Sequence, residues 1–261
     1  MINAFRAEWV PLLRRRFLLG TLGAVFACAM LGTVLTFLSV GHTDFDGDPV
    51  TAAWLAEPGG MVQGAQAVSI LLGVVALSVV AAALAGDHGH GMLRNQLVAQ
   101  PHRARLLAGK LLALAVFVGL VVAVATLVSA ALAFPLAPVK GVSSAAWHSW
   151  AGLAALGAGF VNLYIGSLGY AAVGALAAIV LRGPASAIAV GIAYALPVEM
   201  LVSRIYHPAR AWLPIQLMQE IATGGAAFAT PYADALLRGC LYAAAMLVIA
   251  LVYFRRRDVT S

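Results

Sequence analysis

Four stretches of this 261-residue sequence hold residue types that could do chemistry. His88, His90 and His102 invite a metal site. His88 and His90 are two residues apart and would diverge on a helix. Gly residues surround them, and no second carboxylate or Cys is near, so the ligand count of a closed site is not met. Gly109-Lys110 suggests a phosphate loop, but Leu111 stands where Ser or Thr is needed and Ala104 where the first Gly belongs. This chain is therefore not expected to hydrolyse ATP. Ser167, in Gly166-Ser167-Leu168-Gly169, lacks the Gly-x-Ser-Gly spacing of an intramembrane nucleophile, and no His in an apolar run can serve as its base. Glu199 lies inside an apolar run, where an ionisable group is a functional hypothesis by default. Two readings stand for it: an ion-carrying group, or an interfacial carboxylate that is hydrated or paired with Arg204.

The elements that must position these residues follow from composition. Hydrophobic residues make up 62% of the chain and charged residues 10%, against roughly 25% charged in an ordinary soluble domain. The mean hydropathy is +0.94. Too little polar surface remains to cover a soluble fold, which excludes a water-soluble enzyme, a disordered chain and a nucleic-acid-binding domain. A hydrocarbon core of about 30 Å needs roughly 20 apolar helical residues. Six runs meet this: Phe17 to Val40, Val62 to Ala85, Leu106 to Phe134, Ala151 to Leu181, Ala185 to Val202 and Ala235 to Phe254. They are continuous rather than alternating, so a β-barrel is excluded. The fourth would be about 46 Å long if straight, so it must tilt, kink at Gly157/Gly159 or Gly166/Gly169, or project. The pairs Ala171/Ala175, Gly174/Ala178, Gly20/Ala24 and Gly23/Ala27 suit close helix packing. Cys28 and Cys240 read as free thiols.

The net charge of +6 is an orientation signal rather than a nucleic-acid footprint. With the N-terminus inside, Arg6, Arg14 to Arg16, Arg94, Arg103, Arg105, Lys110, Arg182 and Arg255 to Arg257 all lie on the cytoplasmic side. The first outer loop holds Asp44, Asp46, Asp48 and Glu57 without a basic residue. Both termini are then cytoplasmic. The first run is too long for a signal peptide and lacks a small-x-small site, so it reads as a retained anchor. Ahead of it, Ile2, Phe5, Trp9, Leu12 and Leu13 recur at helical spacing, which predicts an amphipathic surface helix over 1–16 that Pro11 bends toward the span.

The cytoplasmic segment 86–105 is the most informative. Leu93, Leu97 and Val98 share one helical face, Pro101 ends that short helix, and Arg103, Arg105 and Lys110 can reach lipid headgroups. An apolar face on the inner surface needs an occupant. The order Asp87, His90-Gly91, Leu93-Arg94, Pro101, Arg103, Arg105, Leu106-Leu107 and Gly109-Lys110 resembles the first cytoplasmic loop of ABC-2 type transporter permeases. Met92 replaces the usual Thr and Asp87 the usual Glu. The likeness extends over the whole chain, through six spans, the N-terminal surface helix and the basic close Phe254-Arg255-Arg256-Arg257-Asp258.

The resemblance implies an all-α permease subunit of a bacterial inner membrane, working as a homo- or heterodimer in ATP-driven export. It implies no cofactor in this chain, with ATP and Mg held by a separate ABC ATPase subunit. Asp87, His90, Gly91, Leu93, Arg94, Leu97, Pro101 and Arg103 would form the coupling surface for that ATPase. The outer segment 203–234, broken by Pro214 and Gly224-Gly225, reads either as re-entrant helices, which the family has between its fifth and sixth spans, or as an interfacial cap. Asn162 and Tyr164 either line a substrate path or bond across helices. The alternative function is an ion-gradient-driven carrier using Glu199.

Overall fold

The computed structural model describes residue 5 and residues 9–43, 49–89, 103–181, 183–225 and 230–256. Six helices are long and apolar enough to cross a membrane. They are α1 (Arg15–Leu38), α2 (Ser69–Gly89), α3 (Arg103–Val139), α4 (Trp150–Leu181), α5 (Pro184–Ile205) and, last in the chain, Tyr232–Arg256. A short helix, α6 (Pro214–Ala222), precedes the last, which is labelled α7. The described residues contain no strand, only an isolated bridge between Thr43 and Pro49. The protein is an all-α membrane protein.

Three boundaries differ from the apolar runs, each for a local reason. The second spanning helix starts at Ser69 rather than Val62, because the chain first makes short helices at Gly60–Val62 and Gln63–Ala67. Gly60 backs onto the Leu55 carbonyl with no room for a Cβ, so the chain reverses tightly there. α3 continues through Pro135 and Pro138 to Val139. It ends in a Schellman motif: Val142 N–H donates to Ala137 O at 2.9 Å, Gly141 N–H to Pro138 O at 3.3 Å, and Gly141 takes φ +67°. α5 contains a π-helical turn, Tyr194–Val198, around Pro197, whose missing N–H interrupts the regular ladder. Pro184 sits at the N-terminal edge of α5, directly after the Leu181–Gly183 turn.

α4 is one continuous helix of 32 residues, with no break in the helix at Gly157/Gly159 or Gly166/Gly169. Its small residues let neighbours approach. Gly174 faces the Leu77 carbonyl of α2, and Gly73 of α2 lies under the Tyr170 ring, where an added Cβ would stand 2.5 Å from it. A Gly174→Val substitution is expected to wedge α2 from α4 and cost about 1–3 kcal/mol. Thermal unfolding of the purified protein checks this. In α1 the small pairs do something else. Gly20, Gly23, Ala24 and Ala27 are exposed, because the buried face of α1 is Thr21, Val25, Ala29, Gly32 and Thr33, and α1 packs on both α3 and the short helix Gln63–Ala67, where Gly32 meets Gly64. They support no helix contact among the described residues.

α1 and α3 are pinned by polar atoms. Thr33 Oγ1 lies 3.0 Å from Ser129 Oγ, which also accepts Ala65 N–H at 3.1 Å and donates to Met61 O at 3.2 Å. A second cluster caps one end of the bundle. Trp147 Nε1 donates to Glu57 O at 3.0 Å, and Phe37 and Phe134 meet its ring edge-on. At the N-terminus, residues 9–12 are helical and the chain turns at Leu13-Arg14. Leu12 is buried and Trp9 packs on Phe117 of α3 at 6.5 Å, so this turn is docked on the bundle. Residues 1–4 and 6–8 of the predicted surface helix lie outside the described residues.

Candidate functional site

Glu199 begins the last turns of α5, directly after the π-helical turn. Its side chain is 0% exposed. It is not open to bulk solvent, and among the described residues it is not paired with Arg204, whose side chain is exposed. Instead its Oε2 accepts the N–H groups of Ile215, at 2.9 Å, and Gln216, at 3.2 Å. These belong to the first turn of α6, where backbone donors have no partner within the helix. Leu213, which precedes α6, is extended and offers no side-chain acceptor, and Pro214 at the first helical position has no N–H to satisfy. A carboxylate sixteen residues back in the chain therefore caps this helix and meets the positive end of its dipole. The side chains of Tyr194 and Tyr170 also stand near it.

The other end of α6 is capped as firmly. Gly225 N–H donates to Glu220 O at 2.9 Å and Gly224 N–H to Ile221 O at 3.0 Å, with both glycines at positive φ. Gln66 Nε2 donates to Ala222 O at 3.3 Å. Seven of the nine residues of α6 are buried, including the polar Gln216 and Glu220. Such a helix is enclosed by protein on most sides. Its two beds are glycines. A Cβ at Gly166 of α4 would lie 2.7 Å from Met218 O and 2.8 Å from Ala222 Cβ. One at Gly239 of α7 would lie 2.8 Å from Ile221 Cδ1. Gly166 is sixteen residues from Trp150, so α6 is seated about 24 Å along α4 and does not lie over its end.

The family model described as "Protein of unknown function (DUF2705)" matches residues 14–260. The chain belongs to the DUF2705 family. No curated protein matches it. The DUF2705 match takes in all six spanning helices, α6 and the segment 86–105.

Two further polar groups of this DUF2705 protein bond between helices. Asn162 Oδ1 accepts from Tyr232 Oη at 2.7 Å, joining α4 to the start of α7. Tyr164 Oη donates to Ala115 O of α3 at 3.1 Å. Neither is brought to Glu199. Arg238 of α7 holds the segment leading into α6, donating to Ala211 O at 2.9 Å and stacking over Trp212 at 4.4 Å. Lys110 is buried on the α3 face it shares with Leu106, Leu107 and Leu114, and does not reach toward headgroups. Of the predicted coupling residues, His90, Gly91, Leu93, Arg94, Leu97 and Pro101 lie outside the described residues, as do the side chains of Asp87 and Arg103. His88, His90 and His102 also fall outside the described side chains. Sequence reasoning singled out Glu199 but missed its partners, because backbone N–H groups leave no trace in residue type. Pro214 was the available sign, since it marks where α6 begins.

Proposed function

We propose that this chain is the membrane-spanning subunit of an ATP-driven exporter of the ABC-2 type. Two such subunits form the path in a bacterial inner membrane, with both termini in the cytoplasm. Separate ATPase subunits dock on the apolar face of segment 86–105 and hold the ATP and Mg. The observation that carries this reading is α6. A short enclosed helix between the fifth and sixth spanning helices, capped at both ends, is the feature expected from the resemblance of segment 87–110 and the span order. In this reading α6 is re-entrant and forms the outer gate. Closure of the ATPase pair pushes segment 86–105, and the spanning helices rock against one another beneath α6.

A gradient-driven carrier would need Glu199 free to bind and release an ion. Its carboxylate is already engaged by two N–H groups of α6, which favours a structural task over transport chemistry. The test of the export reading is affinity purification of the full chain from gently solubilised native membranes. The expected result is a Walker-motif ATPase recovered in equal amount, with ATP hydrolysis in the eluate. Recovery of the chain alone, still able to drive solute movement with an ion gradient, would overturn it.

A further inference from the structure

A cavity of about 370 Å³ lies between α3 and α7, with α4 as its floor. Leu111 and Ala115 of α3 form one wall, Cys240 and Ala243 of α7 the other, and Met218 of α6 closes one end. Among the described residues, no ionisable group other than the Cys240 thiol lines it, and no side-chain amide or hydroxyl does. Water needs two to four polar partners to be held in a cavity, and an apolar cavity of about 150 Å³ already takes up benzene. This one is more than twice that size, within the range of small-ligand sites.

Its mouth decides what enters. Cys240 is exposed, and it stands eight residues from Tyr232, about 12 Å along α7 and far from either end of the helix. Beside the lining residues in the chain, Leu112 and Val116 of α3 and Leu237 and Leu241 of α7 are all exposed. In a helix that crosses a bilayer these side chains meet hydrocarbon. The opening therefore faces lipid tails at a depth that headgroups do not reach, and its lining offers a headgroup nothing to bind.

We propose that this cleft is a binding site for a single hydrocarbon chain of a membrane lipid, entering sideways from the bilayer. The chain lies along Leu111 and Ala243 and ends against Met218. It thereby touches α6 directly, at the Met218 side chain that packs on Gly169 and Gly239. The proposal goes beyond the export reading and stands whether or not an ATPase drives the protein.

The test uses the full protein in phosphatidylcholine vesicles doped with phosphatidylcholine carrying a diazirine at mid-chain. After irradiation, adducts are mapped by mass spectrometry. The expected result is adducts at Met218, Cys240 and Ala243 about tenfold above those on the outward face of α1 at Phe26 and Leu31, the ratio that a 1.4 kcal/mol preference gives. Ala243→Trp and, on the opposite wall, Leu111→Phe fill the space. Each should remove the enrichment while leaving the α1 adducts unchanged. Equal labelling of all outward faces would mean annular lipid only and overturn the proposal. Bismaleimide linkage of Cys240 to Cys240 between two copies, without lipid adducts, would place a second copy over the cleft and overturn it as well.

Discussion

Replacing Leu93 or Leu97 with Asp should leave the protein in the membrane and abolish export, while the partner ATPase keeps hydrolysing ATP. The two residues are four apart, which puts them on one face of the coupling helix that the export reading proposes for segment 86–105. A carboxylate there must be desolvated when the partner covers it, and the apolar contact is lost at the same time. Anchors of this kind are worth about 2–4 kcal/mol in an interface, which is roughly a 30- to 700-fold loss of affinity. Titration of purified ATPase against each variant measures the loss. Asn95→Ala, off that face and outside the proposed coupling set, should change affinity far less. Equal binding by the wild-type and Leu97→Asp proteins would remove this helix from the interface.

Glu199→Ala is the second large effect. The substitution leaves the N–H groups of Ile215 and Gln216 without their acceptor inside the protein. An abandoned buried donor costs about 1–3 kcal/mol, so a total of roughly 2–4 kcal/mol is expected once the first turn of α6 relaxes. For a chain of this size that is a fall in melting temperature of about 4–16 °C. Glu199→Gln keeps an amide oxygen in the same place and should stay within about 1 kcal/mol of wild type, since a neutral acceptor still satisfies both donors. The pair separates the two functional readings. The gate reading has Glu199→Gln exporting normally and Glu199→Ala unfolding early with α6 open to proteases. A carrier that moves an ion on Glu199 loses transport in both.

Much of the architecture was legible because hydrocarbon thickness demands long apolar runs, and six such runs are present. The ends of those runs were less so. Hydropathy reads straight through Val62 to Val68, where the backbone makes two short helices and a break before Ser69. It also stops at Pro135, which α3 passes through. Small residues say where close approach is permitted but not against what. Gly174 meets α2, whereas Gly20 and Gly23 meet nothing among the described residues. Lys110 was read by charge as a headgroup anchor, yet its helical phase places it with Leu107 and Leu114 in the core. Glu199 was visible as an anomaly. Its role depended on a hairpin that returns α6 to it sixteen residues later, which no local pattern encodes.

Photo-crosslinking in living cells bears most directly on the claim that a separate motor moves this protein. A benzophenone amino acid is placed at position 97, in the face that the export reading gives to the ATPase, and the cells are irradiated with the full protein in its own membrane. The account predicts a single major adduct with a Walker-motif ATPase, lost when that ATPase gene is deleted. Adducts with lipid alone, or none at all, in cells where export is running would contradict it.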